Sequence, residues 1–98
     1  MYSIIYTKRA AADVPKLISA KLDKKTKALI ELIRETPYKN PPPYEKLARD
    51  LQGAYSRRIN IKNRLVYEVL LNSENLKDEN GTSYEGIIKI ISLWTHYE

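Results

Sequence analysis

The hydrophobic pattern changes from a strand-like run to a helix-like spacing close to the start of the chain. Tyr2 to Tyr6 is short, β-branched and aromatic, which predicts a first strand. Thr7 is suited to cap a helix, and apolar residues then recur at three- and four-residue spacing. This pattern predicts an amphipathic helix from about Lys8 to Lys21, with a kink or a restart at Pro15.

A second apolar stripe with helical spacing follows the first. Asp23 is predicted to cap this helix, and Thr36-Pro37 to end it. The residues of the stripe are Thr26, Leu29, Ile30 and Ile33. Charged side chains face water on the other side of this helix, namely Lys24, Lys25, Lys27, Glu31 and Arg34. The two helices should therefore form a hairpin laid on one face of a sheet.

Three consecutive prolines, 41–43, force an extended segment after the helices. Tyr44 to Leu51 then has no clear period, which predicts a short helical turn or an irregular stretch that ends at Gly53.

Two β-rich runs, Tyr55 to Ile61 and Arg64 to Leu71, predict a hairpin. The register decides which arginines lie together. A two-residue loop would place Arg58 and Arg64 on opposite faces, whereas a three-residue loop pairs Asn60 with Arg64. We favour the three-residue loop, closed by a left-handed Asn63, because Arg58, Asn60, Arg64 and Val66 then share one face.

The C-terminal part of the chain contains a polar loop and an apolar strand. Asn72 to Ser83 is acidic and aperiodic, which predicts an exposed, mobile loop. Tyr84 to Trp94 is apolar on both sides and predicts a central strand. The fold class is therefore predicted as α+β, a single domain over 1–98 in which an N-terminal strand and two helices are packed on a mainly antiparallel sheet.

Composition narrows the range of partners and compartments. The net charge of +5 favours a polyanion or an acidic protein as partner, and the absence of Cys excludes disulfides and thiolate metal sites. The N-terminus lacks the pattern of a signal peptide, and no apolar run is long enough to cross a membrane. We expect a cytoplasmic protein without membrane contact.

Five side chains between Glu45 and Tyr97 suit the cleavage of RNA by its own 2′-hydroxyl. This reaction needs a base, a cation beside the phosphate and an acid for the leaving oxygen. Glu45, Arg58, Arg64 and His96 can supply those groups, and the neighbouring Tyr97 can stack on a base. The sequence contains no metal-ligand cluster, so neither a metal nor another cofactor is expected.

These residues lie in segments that resemble the Txe/YoeB branch of the RelE toxin superfamily. The matching segments are Glu45-Lys46-Leu47, Ser56-Arg57-Arg58-Ile59, Asn63-Arg64-Leu65-Val66-Tyr67 and the closing His96-Tyr97. The resemblance implies a RelE-like fold and a ribosome-dependent mRNA endonuclease of a type II toxin–antitoxin pair, which acts without a metal. It also implies a general base at Glu45, phosphate contacts at Arg58 and Arg64, a general acid at His96 and a terminal aromatic at Tyr97.

The resemblance implies further contacts and partners. Arg49 stands where the family often has a His that contacts the ribosome, and Tyr55 stands where it often has a Trp, so both are candidate substrate-binding residues. The implied partners are a cognate antitoxin, the ribosome and mRNA. A homodimer is left open.

Two alternatives to the nuclease are a non-catalytic ParE-like toxin and a basic RNA-binding module of the same fold. The joint presence of Glu45, Arg64 and His96 argues against the ParE-like toxin, because a pure binder needs neither a base nor an acid. A small neighbouring reading frame with an acidic, partly disordered end would distinguish a toxin from the RNA-binding module. Alternation places Arg57 and Arg58 on opposite faces of the sheet. Arg57 is predicted to be a surface charge or the cross-strand partner of an acidic residue.

Overall fold

A single five-stranded sheet carries two helices on one of its faces. The computed structural model describes residues 1–47 and 53–95. Its elements are β1 (Ser3–Tyr6), α1 (Lys8–Ser19), α2 (Asp23–Glu35), β2 (Tyr44–Leu47), β3 (Ala54–Arg58), β4 (Arg64–Leu70) and β5 (Ile87–Thr95). No helix within these residues is both long and apolar enough to cross a bilayer.

The sheet has the strand order β1-β5-β4-β3-β2. β1 pairs with β5 in parallel, and the other neighbours are antiparallel. The predicted α+β class and the central position of the last long strand are therefore confirmed. The chain crosses from β1 at one edge to β2 at the other by way of the two helices.

The core lies between the helices and the sheet. Its helical members include Ala10, Leu17, Ile30 and Ile33, and its strand members include Leu65, Tyr67, Ile88, Ile90 and Leu93. The periods of three to four in the helices and of two in the strands bring these side chains together, as the sequence pattern predicted.

The ends of α1 and α2 follow the sequence signals only in part. Thr7 caps α1 as predicted, with its hydroxyl oxygen accepting from the backbone N–H of Ala10 at 3.0 Å. Of the kink or restart predicted at Pro15, the restart is wrong, because α1 runs through this residue as one helix, and the kink stays a prediction. Asp23 is also not the cap of α2: Leu22 holds that position, and Asp23 begins the helix itself. Thr36 ends α2 as predicted.

The segment predicted as a helical turn or an irregular stretch contains the edge strand β2. Tyr44 to Leu47 pairs with β3, and Glu45 lies opposite Ser56. The prediction failed because four residues are too short to show a period, while pairing with β3 satisfies their backbone groups.

The β3–β4 hairpin is closed by a five-residue connection, 59–63, so the predicted three-residue loop is wrong. Arg64 pairs with Arg58 and not with Asn60. The backbone N–H groups of Ile59 and Asn60 both donate to the Asn63 carbonyl, and Ile59 is fully buried. Asn63 is not left-handed, since Lys21 and Asn75 are the only described residues other than glycine with positive φ. Because the shift is two residues, Arg58 and Arg64 still share a face.

The loop between β4 and β5 is largely exposed, as predicted, but it is held by its own side chains. The Asn72 amide donates to the carbonyls of Leu76 and Tyr84 at 3.0 and 3.1 Å. The Asp78 carboxylate accepts from the backbone N–H groups of Asn80 and Thr82. These bonds give the polar segment a defined path back to β5.

A buried carboxylate connects α1 to the end of β5. Asp13 is 3% exposed, and its Oδ2 accepts from the backbone N–H groups of Leu93 and Trp94 at 3.0 and 3.2 Å. Its other oxygen lies 3.6 Å from Lys16 Nζ. The β4–β5 pairing is irregular in this region, so the carboxylate satisfies strand N–H groups next to a register shift.

We predict that Asp13→Ala lowers the free energy of unfolding by about 2–4 kcal/mol, because two buried N–H groups lose a charged acceptor. Urea unfolding followed by circular dichroism would measure the loss. Asp23→Ala removes an exposed carboxylate from the first turn of α2 and should cost less than about 1 kcal/mol. Equal losses in the two variants would show that Asp13 does not hold the end of β5.

Candidate functional site

On the face of the sheet opposite the helices, Glu45, Ser56, Arg58 and Arg64 lie on neighbouring strands. Strand pairing sets Glu45 opposite Ser56, and Arg58 opposite Arg64. Alternation then places all four side chains on the same face, because directly paired residues point the same way. Glu45, Arg58 and Arg64, which the sequence selected as candidates, are thus brought together.

Arg64 is the centre of this group. Its Nη1 donates to Ser56 Oγ at 3.1 Å, and its Nη2 donates to Glu45 Oε1 at 3.4 Å. The Arg64 side chain is 16% exposed and Glu45 is 67% exposed, so the guanidinium is held in the sheet surface while the carboxylate extends into solvent. Ser56 is fully buried beneath them and fixes the orientation of the guanidinium.

Arg58 adds a second positive charge directly opposite Arg64. Its side chain is exposed, and within residues 1–47 and 53–95 it makes no ion pair or hydrogen bond. Like charges at directly paired positions destabilise a sheet. An anion bound between the two guanidinium groups would relieve that repulsion and accept hydrogen bonds from both.

Three of the candidate residues, Arg49, His96 and Tyr97, lie outside the described residues. The described chain nevertheless ends next to the site, because Thr95 pairs with Arg64 across the β4–β5 ladder. His96 follows Thr95 directly in the sequence.

Tyr55 is not brought to the site. It lies on the helix-bearing face, paired with Tyr67, and joins a cluster of rings with Tyr38 and Tyr44. The ring of Tyr55 is 5.4 Å from that of Tyr38, 5.6 Å from that of Tyr44 and 5.7 Å from that of Tyr67. The sheet therefore separates Tyr55 from the Glu45 carboxylate.

The prediction that Arg57 is a surface charge or pairs with an acidic residue is wrong. Its side chain is fully buried, and it donates to backbone carbonyls and to the hydroxyl of Tyr67. The acceptors explain the difference, since carbonyl oxygens from a distant segment satisfy the guanidinium without a carboxylate.

Sequence reasoning missed the contributions of Ser56 and Arg57. Alternation alone puts Ser56 on the face of Arg58, two residues away, so its position beside the site was readable from the sequence. The same rule puts Arg57 on the face of Tyr55, but its acceptors come from the proline-rich segment, and no local pattern shows that approach.

Burial raises the pKa of several phenols on the helix-bearing face. The pKa of Tyr38, which stays 48% exposed, rises to about 12, first because its neighbours remove part of its hydration and then because of a hydrogen bond with Tyr55. Burial also raises the pKa of Tyr67, against an opposing effect of the Arg57 guanidinium. The hydroxyl of Tyr67 donates to the Pro37 carbonyl at 2.7 Å, which requires its proton.

Comparison with known proteins identifies the family. The family model described as a YoeB-like toxin of bacterial type II toxin–antitoxin systems matches residues 16–97. The chain belongs to the YoeB-like toxins. Against the heterotetrameric YoeB–YefM toxin–antitoxin complex from Staphylococcus aureus, this YoeB-like toxin has 31% identity and a TM-score of 0.69, with 99% of each chain covered.

More distant structures share the fold of this YoeB-like toxin. A YoeB/ParE toxin from Agrobacterium tumefaciens has a TM-score of 0.75 at 24% identity, covering 97% of this chain and 99% of that one. The DinJ–YafQ complex from E. coli has a TM-score of 0.69 at 18% identity, covering 98% and 94%. No match is found among curated protein sequences.

We predict that the stability of this YoeB-like toxin falls as the pH rises from about 10 to about 12. Below this pH window both the folded and the unfolded chain keep the Tyr38 proton, so the raised pKa of Tyr38 does not change the free energy of unfolding. Within it the unfolded chain loses the proton that the folded chain retains, and unfolding becomes easier. Urea unfolding at about pH 9 and about pH 11 would measure the decline, which should be shallower in Tyr38→Phe. An equal decline in that variant would contradict the assignment.

Proposed function

We propose that this YoeB-like toxin is a ribosome-dependent endoribonuclease that cleaves mRNA without a metal. The observation that carries the proposal is the contact of Arg64 with both Glu45 and Ser56, beside the exposed guanidinium of Arg58. A carboxylate and two guanidinium groups on one open face provide a base and a phosphate clamp.

In the proposed reaction Glu45 takes the proton of the 2′-hydroxyl. The freed oxygen forms a bond to the adjacent phosphorus, and the bond from phosphorus to the 5′-oxygen breaks. The products are a 2′,3′-cyclic phosphate and a 5′-hydroxyl end. The exposure of Glu45 lets a substrate approach the carboxylate, and a positioned base of this kind contributes about 10²–10⁴-fold in rate.

Arg64 and Arg58 would hold the non-bridging oxygens of the phosphate. Negative charge grows on these oxygens as the new bond forms, and guanidinium groups can donate two parallel hydrogen bonds to them. Because Ser56 already orients Arg64, little reorganisation is needed when the charge develops. The long 3.4 Å contact between Arg64 and Glu45 can be exchanged for a contact with phosphate.

The resemblance assigns the remaining roles. His96 would protonate the departing 5′-oxygen, and Tyr97 would stack on or orient a nucleotide. The pairing of Thr95 with Arg64 supports this assignment, since the chain continues from that position into His96. Arg49 would contact ribosomal RNA, whereas Tyr55 receives no role at the scissile phosphate.

The proposed partners are the ribosome with its mRNA and a cognate antitoxin, in the cytoplasm. The similar Staphylococcus aureus chain was solved in a YoeB–YefM toxin–antitoxin complex. An acidic antitoxin segment that covers Arg58 and Arg64 would neutralise the same charges that the phosphate requires. A YoeB dimer from Staphylococcus aureus, 30% identical with a TM-score of 0.69 over 98% of each chain, makes a homodimer of this protein a further proposal.

Expression without antitoxin, followed by mapping of mRNA 5′ ends, tests the nuclease. Wild type should arrest growth and create new 5′-hydroxyl ends, while Glu45→Ala and His96→Gln should lower cleavage by about 10²-fold or more. Glu79→Ala, which removes an exposed carboxylate from the β4–β5 loop, is the matched control and should behave as wild type. Arrest that survives both site variants without new ends would support a ParE-like binding toxin instead.

We predict that Arg64→Ala reduces turnover by about 10²–10³-fold and weakens ribosome association much less, because its charge is needed chiefly in the transition state. Single-turnover cleavage and cosedimentation with ribosomes would separate the two quantities. Lys77→Ala removes a cation from the β4–β5 loop and controls for the loss of charge. Equal losses of turnover and association in Arg64→Ala would contradict the catalytic role.

A further inference from the structure

The buried guanidinium of Arg57 takes no part in the proposed cleavage step. Its side chain has no exposure, and among the described residues it has no carboxylate partner. It is satisfied by four neutral acceptors. Nε donates to Tyr67 Oη at 3.1 Å, Nη1 to the Pro42 carbonyl at 2.5 Å, and Nη2 to the carbonyls of Pro37 and Lys39 at 3.1 and 2.8 Å.

The carbonyl acceptors all belong to the segment 37–42, which leads into β2. Prolines in this segment have no N–H to donate. Among the described residues, the backbone hydrogen bond that the segment donates runs from the Lys39 N–H to the Thr36 carbonyl. The segment therefore depends on side chains for its path. Arg57 and Tyr67 provide that support, since the Tyr67 hydroxyl also donates to Pro37.

The supported segment sets the start of β2, and β2 carries the proposed base. Tyr44 pairs directly with Arg57, and its ring centre lies 4.9 Å from the guanidinium carbon. The next residue is Glu45, on the opposite face of the sheet. Among the described residues β2 is an edge strand that pairs with β3, so the place of the Glu45 carboxylate relative to Arg64 depends on β3 and on the segment that precedes β2.

We propose that Arg57 is a positioning residue that places Glu45 against Arg64 through the 37–42 segment. This inference rests on the proposed function for its catalytic consequence. A lysine keeps the charge, but its single ammonium cannot reproduce the planar fork that reaches three separate carbonyls. An apolar residue would leave the buried Pro37 carbonyl and the part-buried carbonyls of Lys39 and Pro42 without this donor.

Arg57→Lys tests the proposal, with Lys25→Arg, an exposed exchange of the same two residue types on α2, as the matched control. We expect Arg57→Lys to fold, to associate with ribosomes within about twofold of wild type, and to lose about 10- to 100-fold in single-turnover rate, because a displaced base misses its productive geometry. In a Glu45→Ala background the same exchange should cost nothing further, since the group it positions is absent.

A general structural defect would give a different pattern. An undiminished rate in Arg57→Lys, or an equal loss with and without Glu45, would overturn the positioning role. Tyr67→Phe is the second variant, used if Arg57→Lys does not fold. It removes one acceptor of Arg57 and one donor to Pro37, and it should show a smaller loss with the same dependence on Glu45.

Amide hydrogen exchange separates this inference from the proposed function. In Arg57→Lys, faster exchange should be concentrated in Tyr44–Leu47, whether or not RNA is cleaved. Unchanged exchange there would refute the positioning role even if wild type is active. A wild-type protein that cleaves no mRNA on the ribosome would instead refute the nuclease, and faster exchange would then still support the structural half of the inference.

Discussion

The two-residue period of β3 is the constraint on which both the structure and the proposed site depend. Ser56, Arg57 and Arg58 are consecutive, so their side chains alternate between the two faces of the sheet. Arg57 enters the protein and binds backbone carbonyls, while Arg58 reaches solvent beside Arg64. Arg57 therefore binds the backbone of residues 37–42, whereas Arg58 is exposed beside Arg64, where an anion can contact both guanidinium groups.

The helix layer is connected to the far end of the same face. The Asp13 carboxylate of α1 holds the N–H groups of Leu93 and Trp94, at the irregular end of the β4–β5 ladder. Thr95 then pairs with Arg64. Two buried charged side chains, one from a helix and one from a strand, thus determine how the chain reaches both sides of Arg64.

Much of this arrangement could be predicted from local patterns. The spacing of apolar residues gave both helices and their buried faces, and alternation gave the shared face of Arg58 and Arg64 even though the predicted loop was too short. The observed pairing differs from the predicted one by two residues, which leaves each side chain on the same face of the sheet. An error of one residue would have placed Arg58 and Arg64 on opposite faces. The comparison with a YoeB-like family supports the fold, and the roles of His96 and Tyr97 stay predictions.

Long-range contacts account for what could not be predicted. β2 is too short to show a period, and its existence depends on pairing with β3. Arginine is rarely buried without a charged partner, so the interior position of Arg57 contradicts its usual preference. Its carbonyl acceptors lie 15 to 20 residues earlier in the chain. Such acceptors become visible only once the path of the proline-rich segment is known.

The two faces of the sheet also differ in what they contribute: the helix-bearing face contributes stability, and the other face carries the proposed site. Exposed ion pairs contribute little to folding, so the contact between Glu45 and Arg64 can be broken by a bound phosphate at small cost. The bonds of Arg57 to Tyr67 and to the Pro37 carbonyl are buried, so breaking them costs more, because the unpaired groups would remain without water. The proposed site, which would exchange partners during the proposed reaction, is thereby supported by a more stable layer, and the short strand β2 joins the two.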